Sequence, residues 1–170
     1  MSFAEPPTSP LSRALFRAPV WIYRAGLGPL MGGRFVLLTH KGRSSGQARQ
    51  AVLEVLEHDR GTGEVLVASG YGARAQWFRN ILREPRVLFQ VGGVRHRGHA
   101  RPLPPQESGQ ALARYAARHP RSAASLMRAL GHRADDSAEA YARIGADTEN
   151  GTPVVRLVPA GPRRPGTLTA

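Results

Sequence analysis

The chain has 170 residues, a length suited to one domain with a sizeable core, and 41% of them are hydrophobic, as in an ordinary globular protein. It contains no cysteine, which excludes disulfides, thiolate metal sites and a cysteine nucleophile. Its 24 Lys+Arg against 12 Asp+Glu, net +12, point to an anionic partner: nucleic acid, a membrane surface or an acidic small molecule.

Lys41 is the only lysine, so arginine carries nearly all of the positive charge. Arginine beside abundant Gly and Pro is also what a GC-rich coding sequence yields, and that explains many arginines without a partner. It does not explain where the single lysine sits. No apolar run approaches the roughly 20 residues of a membrane span. Residues 1–10 lack the regions of a secretory signal, so a cytoplasmic protein is expected.

Residues 1–10 read as a disordered lead. A helix is expected over 11–27, broken at Pro19, with Leu15, Ala18 and Ile22 on one face and Arg13, Arg17 and Arg24 on another. Such a segment packs on the domain, covers a pocket or rests on the inner face of a membrane. Strands follow over 34–41 and 49–58, the second with Val52, Leu53, Val55 and Leu56 in an imperfect period of two. A turn at 59–63 leads to a third strand at 64–69. The stretch "SGYGARAQWFRNILREP" opens with glycines and becomes helical, with Trp77, Phe78 and Ile81 inward and Pro85 as its stop. Residues 87–91 and 94–101 form a hairpin about Gly92-Gly93.

Helices are expected at 104–118, where Leu112 and Tyr115 fall at helical spacing, and at 122–130 and 137–144. A last strand covers 153–159. Short strands on hairpin-length links, with helices inserted late, predict an α+β fold, mainly β: a barrel of about six strands decorated by helices. The organisation is a disordered lead at 1–10, a helical segment at 11–33, the barrel domain at 34–160 and a disordered tail at 161–170.

The chain offers little catalytic machinery of its own. His96 and His99 fall on opposite faces of a strand and no carboxylate completes a set, so no metal is expected. There is no Gly-x-Ser-x-Gly elbow, and "GYGA" lacks the spacing of a dinucleotide fingerprint. An enzyme built this way needs a cofactor to carry the reaction. A nucleic-acid binder would interleave aromatic and basic residues on an open sheet. Aromatic residues are 6% here and sit mostly at apolar positions, so no nucleic-acid partner is expected.

The segment "THKGRSSGQARQ", residues 39–50, is the exception. A Gly-Arg-Ser-Ser-Gly turn between two strands can aim backbone N–H groups, two hydroxyls and a guanidinium at one point. Arg43 and Arg49 can fork onto phosphate or carboxylate, and Lys41 adds a mobile point charge. The alternative is an ordinary solvated hairpin loop.

"LLTHKGRSSGQARQAVLEV", then "VLVASGYGARAQWFRNILREPRVLFQVGG", then "PVVRLVP" resemble the deazaflavin-dependent nitroreductase family, split β-barrel oxidoreductases that use coenzyme F-420. The likeness is best over 34–101. It implies a hydride passed from reduced deazaflavin to an electron-poor substrate such as a nitro compound, quinone or enone. That coenzyme carries a phosphate and a tail of glutamates. By family pattern, Arg43, Ser44, Ser45, Gly46, Gln47 and Arg49, beside Lys41, would hold the anionic part. Val52 and Leu53 would pack near the ring, Ala68, Ser69 and Gly70 would line its edge, and Trp77 and Asn80 would support the same wall. Ser69, Tyr141 or water would return the proton.

Two departures stand out. Many relatives place a lysine where this chain has Gly70, and Asn-Pro where it has Ala75-Gln76, with Tyr71 or Arg74 as compensation. The rival readings are a flavin mononucleotide (FMN) oxidoreductase on the same barrel and a non-catalytic deazaflavin-binding protein. Neither the substrate nor the choice between monomer and homodimer is written in the sequence.

Overall fold

In the computed structural model, which describes residues 32–132 and 135–161, six antiparallel strands close into a barrel. The strands are β1 (Phe35–Lys41), β2 (Ala48–His58), β3 (Val65–Ala68), β4 (Arg86–Val91), β5 (Val94–Pro102) and β6 (Val154–Pro159), in the spatial order β1-β2-β3-β6-β5-β4. The helices are α1 (Gln76–Arg83), α2 (Pro105–Arg118), α3 (Pro120–Ala129) and α4 (Ala138–Ala146), with a short 3-10 turn at Gly72–Arg74 ahead of α1. The expected α+β barrel of six strands is observed. The "mainly β" balance is corrected, because the four helices hold about as many residues as the strands. The lead at 1–10, the helix expected over 11–27 and all but the first residue of the tail expected at 161–170 lie outside the described residues.

Alternation explains the barrel interior. Val36, Leu38, Leu53, Val55, Val65, Val67, Val87, Phe89, Val155 and Leu157 point inward and form one core. Trp77, Phe78 and Ile81 of α1 join that core, so α1 packs against the barrel interior. Each such side chain contributes about 1.5–3 kcal/mol by leaving water.

A second core lies outside the barrel. Leu56, Leu66, Ala68 and Val154 face Leu112, Tyr115, Met127 and Tyr141 of the helical layer. The strand β3 is therefore buried on both faces, which is why "VLVA" reads as a continuous apolar run. The imperfect period in β2 has the same origin, helped by a bulge between Val55 and Glu57 that re-aims Leu56 toward the helices. The Tyr115 hydroxyl donates to Glu54, fastening α2 to β2. Buried Ser108 donates to the Gly145 carbonyl and accepts from the Val154 N–H, joining α2, α4 and β6.

The other outer face, over β1, β4 and β5, carries no described helix. Arg86, Leu88, Arg95, Arg97 and Arg101 are exposed there. Among the described residues, no helix is long and apolar enough to cross a membrane.

Candidate functional site

The turn between β1 and β2 is closed by its own backbone. The Gly42 N–H donates to the Gln47 carbonyl at 2.8 Å and the Gly46 N–H to the Gly42 carbonyl at 2.8 Å. Gly46 has φ +67°, the left-handed region that glycine enters without a Cβ penalty. The Ser45 hydroxyl accepts from the Gln47 N–H at 3.3 Å. Ser44, Ser45, Gly46 and Gln47 form an exposed tip, flanked by the exposed Lys41 and Arg49.

Arg43 is the exception. Its backbone N–H donates to Asn80 Oδ1 at 3.1 Å, and its guanidinium donates to the same oxygen at 3.1 Å and to Gln76 Oε1 at 2.8 Å. The loop is therefore latched to α1. Asn80 is 5% exposed, and its Nδ2 lies 3.2 Å from His40 Nδ1. With Oδ1 accepting from Arg43, Nδ2 is the donor and Nδ1 of a neutral His40 accepts. Burial holds the His40 pKa below its ordinary 6.5, against a hydrogen bond with the Lys41 backbone and with help from the Arg49 charge. The interlocking set is His40, Arg43, Gln76 and Asn80.

This revises the expected anion nest. Four of the loop's backbone N–H groups, those of Gly42, Arg43, Gly46 and Gln47, already have partners inside the protein. What the loop presents outward is side-chain chemistry: two hydroxyls, Lys41, Arg49 and the part of the Arg43 guanidinium that Gln76 and Asn80 leave over. Gln76, one of the two departures before the tryptophan, has a role of its own as an acceptor for Arg43.

The remaining expected residues divide. Trp77 and Asn80 share a helix with Gln76, so Lys41, the loop and one wall of α1 come together. Val52 is half-buried, whereas Leu53 points into the barrel core. Ala68 is buried under the helical layer. Ser69 is 0% exposed and its hydroxyl donates to the Gly72 carbonyl at 3.1 Å, so it holds a turn rather than a proton for transfer. A Cβ on Gly70 would sit 2.4 Å from Leu130 Cδ2, so the space that a lysine would need there is filled by Leu130. Tyr71 packs against the barrel core.

Tyr141 lies elsewhere. It lines a cavity of about 760 Å³ among α2, α3 and α4, with Met127, Arg121, Arg128 and His132. Its hydroxyl donates to Asp136 Oδ1 at 3.0 Å. Burial, then that hydrogen bond, pushes its pKa up, so it stays protonated at neutral pH. This cavity shares no lining residue with the cleft beside the loop.

That cleft has a volume of about 470 Å³ and is lined by Lys41, Gly46, Arg86, Arg97 and His99 among others, with no Asp or Glu in its wall among the described residues. A cationic cleft opening beside a loop of exposed hydroxyls suits a multiply charged anion.

The model of the F420H(2)-dependent quinone reductase family matches residues 15–130, more than half of the chain. The protein belongs to that family. Membership places it among deazaflavin-dependent oxidoreductases, with coenzyme F-420 as the cofactor. The protein Atu2129 of unknown function from Agrobacterium tumefaciens has 18% identity and a TM-score of 0.52 over 95% of this chain and 60% of that one. This chain thus spans three-fifths of that relative's length, and the likeness speaks for the fold. A conserved hypothetical protein, Rv2991 from Mycobacterium tuberculosis, matches at 18% identity over 96% of this chain and 86% of its own, TM-score 0.49. An F420-H2 dependent reductase (FDR-A) matches at 20% identity over 73% and 93%, TM-score 0.48. The exposed cations and hydroxyls around the loop fit the phosphate and carboxylates of the family's coenzyme.

Proposed function

We propose that the protein uses reduced coenzyme F-420 to reduce a quinone or a similarly electron-poor organic acceptor. The observation that carries this reading is the family match, which spans both the loop at 42–47 and the helix that latches it. When bound, the coenzyme supplies the hydride. The chain supplies binding, position and a dry wall.

In this reading Lys41, Arg49, Ser44, Ser45, Gly46 and Gln47 bind the anionic half of the coenzyme, and Arg43 fixes the loop at a set distance from Trp77 and Asn80. Val52 and Gly70 border the ring without donating protons, and Ala68 backs Gly70 from beneath the helical layer. Both side-chain hydroxyls considered already donate, Ser69 to the Gly72 carbonyl and Tyr141 to Asp136. Water therefore returns the proton to the acceptor, unless Tyr141 turns from Asp136 toward its own cavity. The functional unit is the barrel domain at 34–160. A lipid-soluble acceptor would suit a cytoplasmic protein whose segment at 11–33, rich in arginine and apolar residues, meets the inner face of a membrane.

The test is anaerobic mixing of the protein, reduced F-420 and a water-soluble quinone, followed by the return of oxidised deazaflavin fluorescence. Multiple turnovers are expected. Arg49→Ala should weaken coenzyme binding by about tenfold, the loss of one charge-assisted hydrogen bond, and Lys41→Ala by less because an exposed ammonium is screened. Coenzyme binding without turnover of any quinone would make the protein a carrier and overturn the catalytic reading.

A further inference from the structure

In the helical layer, α2 and α4 pack backbone against backbone. A Cβ on Gly109 would lie 2.4 Å from the Ala142 carbonyl oxygen, and one on Gly145 would lie 2.8 Å from the Ser108 carbonyl oxygen. The chain leaves the helical conformation at His119, with φ −134° and ψ 60°, so α3 departs from α2 at an angle. The space it leaves is the cavity of about 760 Å³. Pro120, Arg121, Ala124, Met127 and Arg128 of α3 line it, a set at helical spacing that occupies one face of the helix. Ala116 of α2 and the Tyr141 ring of α4 complete the apolar wall. Ligand pockets are of this kind: mostly apolar, with a few placed polar groups.

All but one of the polar groups gather at one end. Asp136 takes φ +59°, uncommon outside glycine, and in that conformation its carboxylate holds the Tyr141 hydroxyl. The Arg128 charge acts on the same hydroxyl. His132 Nε2 lies 3.3 Å from Thr152 Oγ1, and burial, opposed by the Asp147 charge, holds the His132 pKa below 6.5. Arg128 is thus matched by Asp136, the one acidic residue among the described residues that line the cavity. Arg121 stands apart, two turns before Arg128 on the same face and about 10 Å away along the helix at about 1.5 Å per residue. It is exposed and has no hydrogen-bond or ion-pair partner among the described residues. The lining therefore carries one positive charge in excess, at the end away from Asp136.

We propose that this cavity binds an organic acid with a single carboxylate and an apolar body about 10 Å long, the carboxylate on Arg121 and the body over Ala124 and Met127. Such an acid supplies the missing charge and takes apolar wall out of water. A second carboxylate at the far end would meet Asp136 and be repelled. The site stands independently of the coenzyme reading. It shares no lining residue with the cleft beside Lys41, so both can be filled at once.

The probe is 2-naphthoate, with the neutral 2-naphthamide as its analogue of the same shape, each titrated into the full chain by calorimetry. Native protein should bind the acid at least about fivefold more tightly than the amide at low salt, the scale of one exposed ion pair, and the preference should shrink as salt is added. Arg121→Gln should bring the preference to about one, with an unchanged melting temperature because the side chain is exposed. Ala124→Phe, which puts a ring into the middle of the cavity, should weaken both ligands at least about tenfold. Saturating F-420 should leave the naphthoate affinity as it was. Equal affinities for acid and amide in native protein, a preference that survives Arg121→Gln, or displacement of naphthoate by F-420 overturns the site. Failure of F-420 itself to bind counts against the coenzyme reading and leaves the naphthoate result standing.

Discussion

Asn80→Ala is expected to lower stability by about 2–4 kcal/mol, a fall in Tm on the order of 10 °C for a chain of this size. The side chain is 5% exposed and engages three partners: the Arg43 N–H, the Arg43 guanidinium and His40 Nδ1. Truncation leaves a backbone donor and an imidazole acceptor without partners in a part-buried site, and orphaned polar groups cost more than their bonds contribute. Coenzyme affinity should fall as well, because the loop loses its anchor to α1. The effect has a pH signature. His40 has a folded pKa below its unfolded value of 6.5, so the stability it lends as a neutral group is present above about pH 6.5 and is lost as pH falls through the folded pKa. Native Tm should therefore decline on acidification. The gap between native protein and Asn80→Ala should narrow, since a protonated Nδ1 no longer accepts from Asn80. Thermal melts at pH 7.5 and 5.5 check this; a Tm loss under about 2 °C, or a gap that widens in acid, would contradict the latch.

Gly72→Ala should cost roughly 2–5 kcal/mol. Gly72 has φ +54°, where an L-residue carries about 1–2 kcal/mol of strain. A Cβ there would also lie 2.4 Å from the Glu149 carbonyl oxygen, a backbone atom that moves only with the loop at 147–151, and overpacking of that kind adds about 1–3 kcal/mol. The displacement would reach Ser69, whose hydroxyl donates to the Gly72 carbonyl and whose carbonyl accepts the Gly72 N–H at 3.2 Å. Urea melts read this as a lower midpoint with an unchanged slope. A shift worth less than about 1 kcal/mol would show that the 147–151 loop yields freely.

The contrast between these residues shows what the sequence could carry. Strands and helices announced themselves through period, and Trp77, Phe78 and Ile81 were legible as the buried face of α1 because helical spacing is local. Local rules also placed Gly46 in a turn. They could not place Arg43, whose partners lie 33 and 37 residues away, so a side chain that looked aimed at a ligand proved to be half of a latch. The burial of Ser69 and Leu53 was hidden for a related reason: motif likeness sets residue identity, while packing decides which face is open. His40 gave no signal beyond an apolar neighbourhood. The basic cleft did give one. "RHRGHAR", with a cation or imidazole at every second position of a strand, marks a single charged face, but joining it to Lys41 required the pairing of β4 with both β1 and β5. The helices of the outer layer were placed by their spacing; what was misjudged was their share of the fold beside the strands.

The central claim is that the loop at 42–47 and its cationic surroundings are built for a multiply charged deazaflavin. Side-by-side titration of the purified protein with F-420 and with FMN, at low and high salt, tests it most directly. FMN offers one phosphate; F-420 offers a phosphate and further carboxylates to Lys41, Arg49 and the cleft beyond. F-420 should bind at least about tenfold more tightly, with the advantage shrinking as salt rises. Equal affinities, or tighter binding of FMN, would contradict the account.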